Sequence, residues 1–437
     1  MNTVRVLRER LKGDLSVVAD YASLVSGSAG RLVLSLLYFV CVANSLSIGD
    51  FGLFATASAA GVMLSRVFGL GFYSPLYRTA TVRPRLIGTY TAGLLIASAA
   101  SLPLVAVMAA IFYLLAFAGE MSALAFSLIL LAEIVGWRTL EIVIVVNNGL
   151  GRFGRGAILT IAGTLLKALA AVLFFALSDG SLLVWCALYL AGNLVAAAGS
   201  VLLWYPRQRL KFRPRLWLAR WRDSVSVCGA DVVFYLQSDL DKLLVLAVGG
   251  PTAAGIYAIV MRLVDLTALP VRSFNTLIVQ KIMKAPGFLD SWKRRIGIEA
   301  LVAAVSIAGI AGLGGILRFF PRALGDNVAD AAPLVLLALL VPAFRNLVEY
   351  ESELLYAAGR TGVRVAMLAG LAAAKAGLLT LLLLQFTEIG EILLALNICF
   401  AILWLGAAVT AYTTLDRHRR RQAGSERFSL PVLQPGE

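Results

Sequence analysis

The chain has 437 residues, 60% of them hydrophobic, with a mean hydropathy of +0.85 and a formal net charge of +14. Soluble domains are about 45–50% apolar, so this composition excludes a soluble globular protein and indicates a polytopic membrane protein. The basic excess does not require a nucleic-acid partner, and we expect none, because the cytoplasmic loops of membrane proteins accumulate Lys and Arg.

Residues 1–25 are predicted to form a cytoplasmic interfacial helix. Val4, Leu7 and Leu11 recur at helical spacing, while Arg8 falls off their stripe. This pattern is typical of an amphipathic helix that lies among lipid headgroups. No short apolar run with a small-residue cleavage site follows the segment, so we expect no cleaved signal peptide.

The rest of the chain consists largely of apolar stretches long enough to cross a bilayer. A spanning helix needs about 20 mostly apolar residues. Charges and turn residues divide the chain into the following stretches: 26–48, 51–77, 86–116, 121–148, 156–178, 181–205, 223–249, 252–281, 295–317, 331–357, 362–386 and 390–414. The predicted fold class is therefore an all-α membrane protein with about 12 transmembrane helices.

The distribution of Lys and Arg supports this division. With the N-terminus in the cytoplasm, the predicted cytoplasmic segments hold 28 Lys and Arg residues, whereas the predicted outer loops hold only Arg318 and Arg322. The positive-inside rule then places both termini in the cytoplasm. We expect a multi-pass protein of the bacterial inner (cytoplasmic) membrane.

Segment 206–222 is predicted to be a basic cytoplasmic linker. It interleaves seven basic residues with aromatic residues that include Trp217 and Trp221. Such a pattern also occurs in nucleic-acid-binding proteins, but in a cytoplasmic loop it is typical of contact with anionic phospholipids. We expect this linker to absorb any displacement between the parts of the chain that it joins.

An internal repeat divides the chain into halves. The junction Gly49-Asp50-Phe51-Gly52-Leu53-Phe54-Ala55, after the first predicted helix, resembles Gly249-Gly250-Pro251-Thr252-Ala253-Ala254-Gly255-Ile256-Tyr257-Ala258, after the seventh, displaced by 203 residues at the second glycine. Glu141 and Gly151-Arg152 are echoed by Glu349 and Gly359-Arg360, displaced by 208 residues throughout. Repeated halves are common in transporters. The predicted organisation is an interfacial helix at 1–25, an N-lobe at 26–205, the linker at 206–222, a C-lobe at 223–416 and a basic cytoplasmic tail at 417–437.

Two segments carry a family resemblance. Gln237-Ser238-Asp239-Leu240-Asp241-Lys242-Leu243-Leu244, with the Gly255-Ile256-Tyr257-Ala258 segment that follows, resembles the seventh-helix signature of the polysaccharide-exporting flippases. These belong to the multidrug/oligosaccharidyl-lipid/polysaccharide exporter superfamily. Leu355-Tyr356-Ala357-Ala358-Gly359-Arg360 is similar to that family's segment after helix 10. The residues that carry the motifs are Asp241, Lys242, Gly255, Tyr257, Gly359 and Arg360.

The resemblance implies a MATE-like transporter fold with two pseudo-symmetric six-helix lobes that face a central cavity. It also implies an undecaprenyl-diphosphate-linked oligosaccharide as substrate. The substrate would be flipped from the cytoplasmic to the periplasmic leaflet by alternating access during O-antigen lipopolysaccharide, capsule or exopolysaccharide synthesis. A polysaccharide polymerase and export machinery are the protein partners that such a role implies.

Arginines within the predicted helices are the candidate substrate-binding residues. Ionisable groups at bilayer depth are costly and mark sites, and the guanidinium fork binds phosphate oxygens well. The candidates are Arg66, Arg138, Arg262, Arg272 and Arg345. We expect Arg66 and Arg262 to occupy matching faces in the two lobes and to bind the diphosphate. Internal pairing, of Arg138 with Glu141 and of Arg345 with Glu349, is the alternative.

Acidic residues within the helices are candidates for ion coupling. Asp231, Asp239 and Asp265 could couple transport to H+, Na+ or the membrane potential. Glu351 and Glu353 lie near a predicted cytoplasmic helix end, so we expect both to be interfacial. We expect no cofactor and no metal site, and the four cysteines lie in apolar stretches that predict core packing.

Two other function classes compete with a flippase. An ion-coupled multidrug exporter of the same superfamily should have a predominantly acidic cavity, whereas the intramembrane charges here are modestly cationic. A membrane glycosyltransferase or polymerase needs a large loop or domain for its active site, and the longest predicted outer loop runs only from 318 to 330. No G-x-x-x-x-G-K-[ST] motif is present, so we expect a transporter and not an enzyme.

Overall fold

The computed structural model describes residues 30–177, 180–284 and 291–428. Within these ranges every regular element is a helix. The predicted interfacial helix at 1–25 and the last residues of the basic tail lie outside the described residues. The chain divides into two compact units, Met1–Val232 and Val233–Glu437.

The first unit contains nine helices in its described part and the start of a tenth. They are α1 (Gly30–Ser45), α2 (Ile48–Val67), α3 (Tyr73–Val82), α4 (Ile87–Phe112), α5 (Ala123–Leu131), α6 (Arg138–Gly149), α7 (Phe153–Leu177), α8 (Leu182–Trp204), α9 (Pro214–Leu218) and the start of α10 (Trp221–Lys284).

The predicted second helix is broken between α2 and α3. Gly69, Leu70 and Gly71 all have positive φ angles, of 79°, 48° and 73°. An ideal Cβ on Gly71 would lie 2.1 Å from the carbonyl oxygen of Ser224. Glycine is therefore needed at position 71 both for its backbone conformation and for the close approach of α10.

The predicted fourth helix is continuous but changes its winding. A π-helical turn at Ala132–Trp137 joins α5 to α6, and a second π turn at Tyr113–Phe117 ends α4. Such turns are rare and are frequent at functional sites. The first of them carries Glu133 and immediately precedes Arg138, so it sets the direction of two charged side chains.

The second unit contains the rest of α10 and five more helices. They are α11 (Trp292–Phe319), α12 (Asp326–Val335), α13 (Val341–Ala357), α14 (Thr361–Gln385) and α15 (Ile389–Phe428). α10 is interrupted at Gly250, whose φ of 78° and ψ of 177° are not helical. Pro251 follows, so the predicted seventh and eighth helices meet where the sequence placed their boundary.

In the described part of the chain, eight helices are long and apolar enough to cross a membrane, and a ninth span results if Asp326–Ala338 and Val341–Ala357, bent by 64°, count together. The sequence predicts about twelve. The difference arises because α10 counts once although it contains two predicted helices, because α1 is short in its described part, and because the fourth helix is divided at its π turn. Each of the twelve predicted spans has a helical counterpart in the described residues.

The surface carries large apolar side chains, and charged groups lie inside. Leu203, Leu115 and Leu384 are 77%, 75% and 72% exposed. An apolar surface of this extent would be a liability in water, and it is the expected surface of a protein in lipid. The buried residues include Arg66 and Lys375, which must therefore find partners within their own unit.

Segment 206–222 is fastened to the first unit. The side chain of Gln208 accepts a hydrogen bond from the Gly88 amide (3.2 Å) and donates one to the Pro84 carbonyl (2.9 Å). Trp217 is buried, and an ideal Cβ on Gly93 would lie 2.8 Å from its ring. The segment expected to be a displaceable linker therefore has specific contacts that hold it against α4.

The internal repeat is visible in two equivalent turns. Arg152 donates its amide to the Asn147 carbonyl (2.9 Å), and Arg360 donates its amide to the Leu355 carbonyl (2.8 Å). The glycines before them have φ angles of 72° and 69°. Both turns are Schellman motifs, which end helices with a glycine in the left-handed region. The family-motif residues Gly359 and Arg360 thus belong to a helix-ending turn that occurs once in each unit.

Candidate functional site

The first unit contains two arginines that share one carboxylate. Arg66, in the last turn of α2, binds Glu141 through both ends of its fork, at 3.0 and 3.1 Å. Arg138, at the start of α6, binds the same carboxylate at 3.0 Å. The two arginines are only 6% and 4% exposed. We name the set Arg66, Arg138 and Glu141 the arginine pair site.

The Arg138 guanidinium has more N–H donors than the described residues around it accept. Its Nη1 donates to Glu141, whereas its buried Nε and Nη2 have no hydrogen-bond partner among the described residues. Its guanidinium lies 4.6 Å from the centre of the Tyr73 ring. Buried donors are almost always paired in proteins. This guanidinium therefore offers an N–H fork of the kind that binds phosphate or carboxylate oxygens.

Asp231 belongs to the same site. It lies on α10 within the first unit and accepts a hydrogen bond from the Tyr73 hydroxyl at 2.6 Å. Tyr73 contacts both residues, since its hydroxyl bonds Asp231 and its ring lies 4.6 Å from the Arg138 guanidinium. The structure thus brings together three residues that the sequence selected in different roles, namely Arg66, Arg138 and Asp231. Tyr73 was missed, because no spacing in the sequence shows a tertiary contact over 158 residues.

A second polar cluster lies in the first unit. Glu133, only 2% exposed, accepts hydrogen bonds from Ser58 (2.7 Å) and from the hydroxyl of Tyr189. Lys167 donates to the same hydroxyl at 3.1 Å and lies 3.9 Å from the centre of the Trp137 ring. Glu133 and Lys167 are detectable in the sequence as ionisable residues within apolar helices, but the sequence does not show that they lie in one cluster.

The second unit pairs its arginines differently from the prediction. Arg345 binds Asp265 at 3.1 Å, and Arg272 binds both oxygens of Glu349 at 3.2 Å. The alternative of an Arg345–Glu349 pair within one helix is therefore not what forms. Arg345 and Glu349 of α13 instead each bond the second half of α10, because the long guanidinium side chains of Arg345 and Arg272 reach across to the neighbouring helix.

Asp241 is the centre of a buried network. Its carboxylate lies 3.2 Å from the Lys375 ammonium and accepts a hydrogen bond of 2.6 Å from the Tyr257 hydroxyl. The ammonium also donates to the Gln237 and Ser238 carbonyls, at 2.8 and 3.3 Å. The motif residues Asp241 and Tyr257 therefore hold the helices of the second unit together.

The other predicted residues have less specific surroundings. Lys242 bonds Asp239 one turn away on the same helix. Arg262 is half-buried and lies close enough to Asp265 to act on its charge. Gly255 is buried inside the second half of α10. No group of His, Cys, Asp and Glu in the described part of the chain could hold a metal ion.

Each unit contains one ion pair that is equivalent to a pair in the other unit. Glu141 and Glu349 are separated by the 208 residues of the repeat, and each binds an arginine, Arg66 or Arg272, whose positions differ by 206. The sequence instead matched Arg66 with Arg262. The helix-to-helix pairing makes Arg272 the better counterpart. The two glutamate side chains are similarly exposed, at 25% and 27%, whereas the Arg66 side chain is 7% exposed and the Arg272 side chain is 48% exposed.

Comparison with known proteins identifies the fold. No protein-family model and no curated protein matches this sequence. Among solved structures, an inward-facing multidrug resistance MATE family transporter of the MOP superfamily is 14% identical, over 92% of this chain and 96% of that chain, with a TM-score of 0.59. The lipid II flippase MurJ, in an inward closed conformation, is 13% identical, over 89% and 87%, with a TM-score of 0.60.

A third similar structure is a MOP superfamily transporter from Pyrococcus furiosus, whose binding pocket has reversed polarity. It is 14% identical, over 90% of this chain and 92% of that chain, with a TM-score of 0.58. These identities are too low to transfer a substrate. They show that the chain has the fold of the MOP superfamily transporters and is a multi-pass membrane protein with the predicted MATE-like architecture.

Proposed function

We propose that this protein is a flippase that carries an undecaprenyl-diphosphate-linked oligosaccharide from the cytoplasmic to the periplasmic leaflet of the bacterial inner membrane. Alternating access would move the substrate during surface polysaccharide synthesis. The observation that carries the proposal is Arg138, a buried guanidinium with two donor nitrogens that no described residue accepts from. The arginine pair site would bind the diphosphate.

The charges of the site favour an anionic headgroup over a cationic drug. A cation needs an available carboxylate, but Glu141 is bound by two arginines and Asp231 by Tyr73. In the second unit Asp265 and Asp241 are likewise bound, by Arg345 and Lys375. In the arginine pair site the available groups are therefore donors, on Arg138, and not acceptors.

Glu141 would position the arginines for the substrate. The carboxylate fixes both guanidiniums at 3.0 Å, so their geometry is set before a headgroup arrives. A diphosphate oxygen could then accept from Nε and Nη2 of Arg138 without displacing Glu141. A charge-assisted hydrogen bond of this kind contributes about 1.5–3 kcal/mol. The fold that the chain shares with a lipid II flippase is compatible with a lipid-linked substrate.

Binding measurements on the purified protein test this proposal. Arg138→Ala should weaken the binding of undecaprenyl diphosphate by about tenfold to a hundredfold, and Arg138→Lys should be milder because it keeps the charge but loses the fork. Arg322→Ala is the matched control, since Arg322 is exposed and pairs only with a neighbour, Asp326. Undecaprenol, which lacks the diphosphate, should bind the wild-type protein no better than undecaprenyl diphosphate binds Arg138→Ala. Equal affinity of the wild-type protein for both lipids would contradict the proposal.

A further inference from the structure

Glu351 is a buried carboxyl group that the proposed substrate site does not use. It lies on α13, its exposed fraction is 0%, and neither of its carboxyl oxygens has a hydrogen-bond partner in the part of the chain that the structure describes. The sequence placed it at the interface. The structure instead encloses it inside the second unit, so its burial needs a physical explanation.

Polar groups from three helices surround Glu351. Glu299 of α11 accepts a hydrogen bond from the hydroxyl of Tyr412 on α15. Ile298, next to Glu299, and Tyr350, next to Glu351, pack in one buried cluster, so the two carboxyl groups would repel each other if both were charged. The Tyr350 hydroxyl and the Trp404 indole N–H are also buried, and neither forms a hydrogen bond of normal geometry among the described residues. The Trp404 N–H is the donor nearest to Glu351. We name Glu351, Glu299 and Tyr412 the paired-carboxyl site.

Among the described residues, no Lys or Arg forms an ion pair with Glu351. Three arginines on the helices packed around it are bonded to other acids. They are Arg295 of α11 with Asp416 of α15 at 2.9 Å, Arg364 of α14 with Glu353 of α13 at 2.8 Å, and Arg272 of α10 with Glu349 of α13 at 3.2 Å. An ionised Glu351 would therefore be a buried charge with no basic partner among the described residues, beside a second carboxylate, which is a costly arrangement.

A bound proton resolves both problems. It removes the charge of Glu351 and the repulsion from Glu299, and it converts Glu351 into an O–H donor that a neighbouring oxygen can accept from. The other acidic candidates already have bonded partners and do not need a proton in this way. Asp231 is bonded to Tyr73, Asp239 to Lys242 and Asp265 to Arg345.

We propose that the paired-carboxyl site is a proton-binding site in which Glu351 carries the exchangeable proton, and that this exchange drives transport. Release of the proton leaves a carboxylate on Glu351, and uptake restores the acid. Coupling to transport rests on the proposed flippase function, whereas proton binding at Glu351 does not. A lipid flippase with this site uses a proton gradient and does not need a sodium gradient.

Infrared difference spectroscopy tests the proton site directly. The full-length protein in nanodiscs should show a protonated-carboxyl band that disappears as the pH is raised. Glu351→Gln should remove the band, and Glu353→Gln, a matched control on the same helix, should keep it. Glu299→Gln should keep the band but shift the pH at which it titrates, which separates loss of the site from failure to fold. An unchanged band in Glu351→Gln overturns the proposal.

Radioactive sodium and flipping assays decide the occupant and the coupling. The wild-type protein and Glu351→Gln should show the same ²²Na+ binding. Sodium binding by the wild-type protein that Glu351→Gln abolishes, together with no infrared band, would make the site a sodium site and overturn the proposal. In proteoliposomes, a pH gradient should change the wild-type rate of undecaprenyl-diphosphate flipping several-fold and should not affect Glu351→Gln. The same gradient response in both overturns the coupling. If the wild-type protein flips no lipid, the flippase function fails, and the infrared result still decides the proton site.

Discussion

At the scale of single residues, Glu141 holds the candidate substrate site together. Two buried guanidiniums depend on its one carboxylate. Breaking a buried ion pair by removing one partner is far more costly than breaking an exposed pair, because the remaining charge stays buried. The equivalent Arg272–Glu349 pair is half-exposed and provides an internal comparison with the same chemistry.

The first prediction concerns these two pairs. Glu141→Gln should lower the free energy of unfolding by about 3–5 kcal/mol, since it leaves two buried arginines without a counter-charge. Glu349→Gln should cost about 0–1 kcal/mol, as for exposed pairs. Chemical unfolding in detergent measures both. Equal losses of stability would show that burial does not distinguish the two pairs.

Part of this site could be predicted from the sequence. Arg66, Arg138 and Asp231 stand out because ionisable groups are rare in apolar helices, and the 208-residue repeat singles out Glu141 and Glu349. Their partners could not be predicted. The bonds of Tyr73 to Asp231 and of Lys375 to Asp241 join distant parts of the chain, and such contacts depend on helix packing that no local pattern encodes.

At the scale of the elements, the sequence predicted helices well and their interruptions poorly. The break at Gly250 was predicted because Gly-Gly-Pro cannot continue a helix. The break at Gly69–Gly71 was missed because the glycines lie within a long, mostly apolar stretch, and they matter through contacts with distant residues, Leu94 for Gly69 and Ser224 for Gly71. The π turn at Ala132–Trp137 was missed for the same reason, since nothing in its composition differs from an α-helix.

The second prediction concerns the docking of segment 206–222. An ideal Cβ on Gly88 would lie 2.3 Å from the Arg209 carbonyl oxygen, so Gly88→Ala should release the segment from α4. Trypsin should then cleave the seven basic residues of this segment faster than in the wild-type protein in detergent. Gly154→Ala is the control, because an added Cβ there meets no atom within 4 Å. Identical cleavage in both variants would mean that the segment is not fastened by this contact.

At the scale of the whole molecule, orientation in the membrane is the prediction that rests most on the sequence. Cytoplasmic termini follow from the asymmetry of Lys and Arg between predicted loops. In a cysteine-free background, Asp326→Cys should react with an impermeant thiol reagent added to intact cells, and Arg215→Cys should react only after the cells are lysed. Labelling of position 215 in intact cells would reverse the orientation.

The MOP superfamily fold hosts drug exporters and lipid flippases, so the fold does not decide the substrate. The sequence predicted the twelve-span helical architecture because hydropathy and charge encode it directly. The substrate depends instead on whether buried donors or buried carboxylates are available to a ligand. In the arginine pair site the available groups are donors, on Arg138.

The most direct test of the account is flipping by the protein reconstituted in liposomes. A fluorescent undecaprenyl-diphosphate-linked sugar should move between leaflets, as measured by its accessibility to a membrane-impermeant quencher. Arg138→Ala should slow this movement by about tenfold or more, and Arg322→Ala should not. A wild-type protein that transports a cationic dye but leaves the lipid in place, or an Arg138→Ala variant that flips it at the full rate, would contradict the account.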